Sequence, residues 1–169
     1  MKAVAQLLNE LQSSELVQSY ALFGALAQMR YTEAVATLDA DVLVAVAQPD
    51  QLDVLSDISA FCAARGYLPE GEAVRVGSWP VQLVPVFSPL TREAMEHAET
   101  ADFDVVPLRV VGAAHLAVTA LSVGRAKDFA RVLALLESGS VTRAEIQLLA
   151  ARHGLEAAWE RFEGRFPRE

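Results

Sequence analysis

The run of residues 37–46 constrains the fold more than any other segment, because it alternates apolar and acidic side chains as a half-buried strand does. The apolar face, predicted to lie in a core, carries Leu38, Ala40, Val42, Val44 and Val46. The other face carries Asp39 and Asp41 side by side. Two neighbouring carboxylates repel each other unless water or cations surround them. The segment therefore predicts a sheet protein with an acidic pair on one strand.

The acidic pair has two interpretations. It is either the solvated end of a strand or a site for magnesium, a hard cation that one or two carboxylates and substrate phosphates satisfy. Two such ions stabilise the attacking and leaving oxygens of phosphoryl transfer. Upstream, Phe23-Gly24-Ala25-Leu26-Ala27 reads as a strand–glycine–helix junction, where backbone N–H groups suit phosphate oxygens. Alternatively, Gly24 is required only for a tight turn or for close packing.

The remaining elements alternate in the first two-thirds of the chain and are helical from Gly112 onward. Asp50 is predicted to cap a helix that runs to about Arg65. Ser88-Pro89 opens another helix, expected to end near Asp102. The other predicted helices cover 4–12, 25–30 and 113–123, the last of these ending at Gly124. Three more helices follow, the second of which is predicted to start at the capping box Thr142-Arg143-Ala144-Glu145. The predicted strands cover 20–23, 37–46, 73–76, 81–86 and 105–110.

Composition excludes several classes of protein. Cys62 is the single cysteine of the 169 residues, so intrachain disulfides and zinc sites built from cysteine clusters are excluded. A net charge of −8 argues against non-specific nucleic-acid binding. The three histidines, His97, His115 and His153, show no ligand-like spacing and are expected to be surface or core residues.

No membrane association is expected. The uncharged apolar stretch 110–124 is shorter than the ~20 residues of a spanning helix. The first residues turn polar at Gln6, before a signal-type apolar core develops. These features predict a cytoplasmic protein.

Two motifs together resemble a known family. Tyr20-Ala-Leu-Phe-Gly24-Ala-Leu-Ala27, followed by Thr37-Leu-Asp39-Ala-Asp41-Val-Leu-Val44, is similar to the signature of the DNA polymerase β-type nucleotidyltransferase superfamily. More narrowly, it resembles the AbiEii-like nucleotidyltransferases of bacterial type IV toxin–antitoxin systems. Trp79-Pro-Val-Gln-Leu-Val-Pro85 resembles their third sheet segment, and Leu121-Ser-Val-Gly-Arg125-Ala-Lys127-Asp128 resembles their Gly-Arg-x-Lys-Asp helix. The resemblance spans about residues 15–155.

The resemblance implies an α+β fold, with a small mixed β-sheet flanked by helices and a C-terminal helical portion. The expected division is a nucleotidyltransferase-like core over residues 1–111 and a helical portion over 112–169, packed as one unit. It implies transfer of a nucleoside monophosphate from NTP to an RNA, protein or small-molecule acceptor, with Mg²⁺ as cofactor. A partner resembling an antitoxin is also implied. The sequence leaves the oligomeric state open.

The resemblance also implies the site residues. Asp39 and Asp41 would bind the metal and act in catalysis together with Lys127. The residues expected around the nucleotide are Gly24, Ala25, Thr37, Gln82, Arg125 and Asp128. Lys127 alternatively lies on a solvated helix face with Arg131, four residues on.

Three positions depart from the family pattern. Ala25 stands where a second glycine or a serine is usual, and Arg131 where a second acid often closes the helix motif. Gln82 replaces a third carboxylate and cannot accept a proton as a general base, although Glu72 is a candidate substitute. The alternative function is therefore a catalytically impaired module that binds a nucleotide or a protein partner. A purely structural dimerisation domain is a further alternative.

Overall fold

The computed structural model describes residues 1–33, 36–46, 55–103 and 105–167. Its strands are β1 (Val17–Phe23), β2 (Ala40–Val46), β3 (Leu68–Glu70), β4 (Ala73–Val76), β5 (Trp79–Pro85), β6 (Glu99–Phe103) and β7 (Val106–Val110). Its helices are α1 (Lys2–Ser13), α2 (Gly24–Gln28), α3 (Ser56–Ala64), α4 (Pro89–Glu96), α5 (Ala113–Val123), α6 (Ala126–Glu137), α7 (Arg143–Arg152) and α8 (Glu156–Arg165).

The seven described strands form one mixed sheet in the order β3-β4-β5-β2-β1-β7-β6. β2 lies at its centre, antiparallel to β1 and parallel to β5. Its residues Val42, Leu43 and Val44 are almost completely buried. Strands covered on both faces carry such continuous apolar runs, because no side chain reaches water. The acidic residues of the predicted strand are thereby restricted to the end where β2 begins.

The strand containing the acidic pair is shorter than its alternation predicts. β2 begins at Ala40, and Leu38, expected in the core, is 89% exposed. The reason is the sheet boundary: Phe23, the last residue of β1, pairs with Asp41, and the chain then turns into α2. On the β1 side, the residues before Ala40 therefore have no strand to pair with. Asp39 thus precedes the strand instead of lying within it.

The helix predicted to end near Asp102 is also shorter. The expected Ser88 cap is present, since its hydroxyl accepts a hydrogen bond from the Thr91 N–H, but α4 ends at Glu96. Residues 99–103 instead pair with β7 as an edge strand. Pairing in the sheet overrides local helix preference here. The proposed Asp50 cap lies outside the described residues, and α3 begins at Ser56.

The C-terminal helices pack on one another and against α2 and α4. α5 is nearly all apolar and buried, and it ends at Gly124 in the left-handed conformation. The predicted capping box of α7 is confirmed: Thr142 accepts a hydrogen bond from the Glu145 N–H, and Glu145 accepts one from the Thr142 N–H. None of the helices in the described ranges has both the length and the apolar character to cross a membrane.

Candidate active site

The turn from β1 into α2 brings the backbone against the acidic pair. Gly24 has φ +69° and is buried. A Cβ atom placed on Gly24 would overlap Asp41 Oδ2 and lie 3.1 Å from Asp41 Cγ. Both the left-handed backbone and the proximity of the carboxylate therefore require glycine at this position. Gly24 and Asp41, assigned to one site by the sequence motif, are direct neighbours.

Asp41 is partly buried, whereas Asp39 is exposed. Burial and the negative charge of Asp39 raise the pKa of Asp41 above its ordinary value, and the positive charges of Arg131 and Lys127 oppose this rise. The Asp39 carboxylate accepts a 3.0 Å hydrogen bond from the Thr37 hydroxyl. A divalent cation between the two carboxylates would relieve their repulsion, and carboxylate oxygens are donors that Mg²⁺ prefers. The residues present therefore fit a magnesium ion.

Helix α6 provides the positive charges next to Asp41. Lys127 is exposed on its first turn, and Arg131 lies one turn further along, partly buried. Arg131 Nε donates a 3.1 Å hydrogen bond to Oε1 of Gln28, which is buried on α2. Burial lowers the pKa of Arg131, and the carboxylates of Asp128 and Asp41 oppose that shift. α6 thus presents two cations to the acidic pair and is connected to α2 through Gln28.

Arg131 is the residue that sequence reasoning missed. The family pattern marked it only as a departure, and the alternative interpretation placed it on a solvated face. The four-residue spacing between Lys127 and Arg131 was the available signal, because it places both on one side of a helix. The orientation of that side depends on how α6 packs against α2, which a sequence pattern does not encode.

Arg125 and Asp128 bind each other where α6 begins. Asp128 Oδ2 accepts hydrogen bonds from the Arg125 backbone N–H at 3.1 Å and from Arg125 Nε at 2.8 Å. Burial by itself raises the pKa of Asp128, but these hydrogen bonds and the Arg125 charge hold it below its ordinary value. The pair caps the helix and so positions Lys127. The structure places Arg125 against Asp128 instead of against the acidic pair.

Gln82 lies beside Asp41 on the neighbouring strand. The two residues are register partners of β5 and β2, so their side chains share a face of the sheet. Gln82 Nε2 is also 3.5 Å from Oε2 of the exposed Glu72. The position expected for a third carboxylate is therefore adjacent to Asp41 and carries a neutral amide. Ala25 follows Gly24 in the first turn of α2.

Comparison with solved structures gives distant matches over nearly the whole chain. A solution structure of the antibiotic-resistance factor ANT(2'')-Ia has a TM-score of 0.53 at 11% identity, covering 97% of each chain. A crystal structure of ANT(2'')-Ia with adenylyl-2''-tobramycin has a TM-score of 0.52 at 13% identity, covering 96% of each chain. An antigenic nucleotidyltransferase-like protein from Paracoccidioides brasiliensis has a TM-score of 0.58 at 13% identity, covering 94% of this chain and 91% of that protein.

These similarities concern the fold. No protein-family model and no curated protein sequence matches the chain. The expected α+β fold, a mixed sheet with flanking helices and a C-terminal helical region, is confirmed as nucleotidyltransferase-like.

Substitution of Gly24 tests the contact with Asp41. Gly24→Ala is expected to reduce the free energy of unfolding by about 2–4 kcal/mol, because backbone strain and the overlap with Asp41 add together. Gly66→Ala is the matched control, since Gly66 also has positive φ but nothing lies within 4 Å of a Cβ placed there. It is expected to cost about 1 kcal/mol. Equal losses in urea unfolding of the two variants would contradict the contact.

The raised pKa of Asp41 predicts a pH-dependent difference from Asp41→Asn in metal-free buffer. A carboxyl with a raised pKa stabilises the folded protein when protonated, and this contribution disappears as pH rises through its folded-state pKa. Asp41→Asn is therefore expected to be more stable than the wild type near neutral pH. The advantage should shrink as pH falls toward the ordinary aspartate pKa of 3.8.

The control for this measurement is Asp57→Asn, which removes an exposed carboxylate from α3. It reports what the loss of one surface carboxylate away from Asp41 does to the free energy of unfolding. Denaturant unfolding at several pH values provides the comparison. A difference for Asp41→Asn that is constant with pH would contradict the raised pKa.

Proposed function

We propose that this protein is a Mg²⁺-dependent nucleotidyltransferase that transfers a nucleoside monophosphate from NTP to a hydroxyl acceptor. The observation that carries the proposal is the packing of Gly24 against Asp41 where the Lys127 and Arg131 charges also act on that carboxylate. Carboxylates for a metal, a glycine turn and nearby cations are what phosphoryl transfer requires. The nucleotidyltransferase-like fold supports the same conclusion.

In this proposal Asp39 and Asp41 hold the metal, which supplies positive charge against the phosphate oxygens. Thr37 orients Asp39 through the 3.0 Å hydrogen bond. Lys127 contacts phosphate, and Arg125 and Asp128 hold the start of α6 so that Lys127 is positioned. The backbone at Gly24 and Ala25 and the amide of Gln82 complete the nucleotide-binding surface.

The acceptor oxygen attacks the α-phosphorus, the bond to the bridging oxygen breaks and pyrophosphate leaves. Gln82 cannot take the acceptor's proton. Glu72, whose Oε2 lies 3.5 Å from Gln82 Nε2, is the neighbouring carboxylate that can accept it. Positioning of the two reactants and stabilisation of the developing charge account for most of the acceleration.

The acceptor class is an RNA, a protein or a small molecule. One solved relative is described in complex with adenylyl-2''-tobramycin, which supports including small molecules with hydroxyl groups in the search. The narrower resemblance to AbiEii-like proteins adds a bacterial toxin–antitoxin role, with an antitoxin-like partner and a cytoplasmic location, to the proposal.

We also propose the division of the chain into a core over residues 1–111 and a helical portion over 112–169. Two hydrogen bonds across the boundary support their packing as one unit: Arg131 to Gln28 and the Ser140 hydroxyl to the Tyr31 carbonyl. The helical portion thereby supplies Lys127 to a site whose carboxylates belong to the core.

A second candidate function is a nucleotide- or partner-binding module that has lost catalysis. The neutral Gln82 beside Asp41 favours it, because the position expected for a proton-accepting carboxylate carries an amide. Ala25, in place of a second glycine or a serine, also favours the binding module.

Label transfer tests the proposal. The protein is incubated with Mg²⁺, each NTP labelled at the α-phosphate, and total RNA, total protein or an aminoglycoside panel. Asp41→Asn is expected to reduce transfer about a hundredfold or more, because a charged group at the reacting centre is lost. Asp57→Asn, which removes one negative charge on α3, should leave it unchanged. Full activity of Asp41→Asn would refute the assignment, and nucleotide binding without transfer would favour the binding module.

Substitution of Gln82 tests whether a third carboxylate acts at this position. Gln82→Asp restores a carboxylate beside Asp41 and is expected to raise label transfer about tenfold or more by providing a base. Gln82→Asn is the matched control, because it has the same size as Asp and no charge. Equal transfer by both variants would show that this position is not where the third carboxylate acts.

A further inference from the structure

All three histidines of the chain converge on one glutamate. Glu93 lies on α4, His97 caps its C-terminal end, His115 lies on α5 and His153 caps the C-terminal end of α7. The three histidines are 18 and 38 residues apart in the sequence, so their spacing gave no indication of a shared site. The packing of three helices brings them together.

The ring of His97 is arranged as a metal-binding imidazole is. His97 Nδ1 lies 3.0 Å from the Glu93 carbonyl oxygen, and donation of its proton there leaves a lone pair on Nε2. His153 Nε2 lies 2.7 Å from Glu93 Oε2 and orients that carboxylate. One donor atom from each of Glu93, His97 and His115 lies within 4.8 Å of the other two.

The strongest evidence for a bound ligand comes from His115. Its Nε2 is buried and has no hydrogen-bond partner among the residues that the structure describes, and it lies 3.6 Å from Glu93 Oε1. A buried polar nitrogen without a partner is costly, so such groups call for an explanation. The ion pairs that Glu93 forms with Arg152 and His153 do not explain the buried nitrogen of His115, because neither pair includes it.

We propose that Glu93, His97 and His115 bind a divalent transition metal of the zinc class, with His153 orienting Glu93. Zinc accepts imidazole nitrogen and carboxylate oxygen at about 2.0–2.2 Å, and three protein ligands leave its fourth position open. Arg152 pairs with Glu93 on the outer side, but its side chain is 56% exposed and can turn toward solvent when a cation binds.

The proposed metal site is separate from the acidic pair. It borders a cavity of about 580 Å³ lined by Val86, Pro89, Glu96 and His97, among others. Val86 bonds through its N–H to the Val44 carbonyl, toward the end of β2 opposite to Asp41. A metal here would join α4 to α5 and hold the C-terminal helices to the sheet.

Titration calorimetry with ZnCl₂ on untagged, chelator-treated full-length protein tests the proposal. With excess Mg²⁺ present to occupy the acidic pair, one Zn²⁺ per chain is expected to bind and to raise the melting temperature. His97→Gln is the key variant, because His97 is exposed and its replacement leaves the core intact. It is expected to weaken zinc binding about tenfold or more, and Glu93→Gln should do the same.

Two controls identify the site. Glu96→Gln removes a neighbouring exposed carboxylate of α4 that lies outside the donor set, and Asp41→Asn alters the acidic pair. Both are expected to retain wild-type zinc affinity. The proposal is overturned if the wild type binds no zinc, if His97→Gln binds it unchanged, or if Asp41→Asn abolishes binding. Because nucleotide transfer is measured separately, failure of either proposal leaves the other intact.

Discussion

The contact between the Asp41 carboxylate and the backbone of Gly24 determines the geometry of the candidate active site. Asp41 pairs with Phe23, so the carboxylate faces the point where β1 turns into α2. Only glycine combines positive φ with room for that carboxylate. The contact ties the helix start, the end of β1 and the start of β2 into one unit, and the other site residues are placed around it.

In the proposed function, this arrangement sets the stability of the fold against the binding of a metal ion. Burial and Asp39 disfavour the charged form of Asp41, while Lys127 and Arg131 favour it. The cations come from α6, whose start is capped by Arg125 and Asp128. An incompletely balanced carboxylate attracts a metal ion because binding relieves repulsion that folding left in place. Active sites commonly retain such perturbed groups.

Much of the architecture was predictable from local patterns. The alternation of apolar and acidic residues predicted the central strand, the Ser88 and Thr142 caps predicted two helix starts, and Gly124 marked the end of α5. Leu38 and β6 were mispredicted because strand length and edge pairing depend on the neighbouring strand. Periodicity reports which faces are apolar, but it does not report where a partner strand ends.

The sequence by itself determined the acidic pair, the glycine before α2 and the Lys127 helix, because each is a local motif of a few residues. Only the tertiary structure decided that Arg131 reaches Gln28 and acts on Asp41, and that three distant histidines surround Glu93. These relations come from the packing of helices that are far apart in the chain. The distance between two such side chains depends on the whole path between them, and no short motif encodes that path.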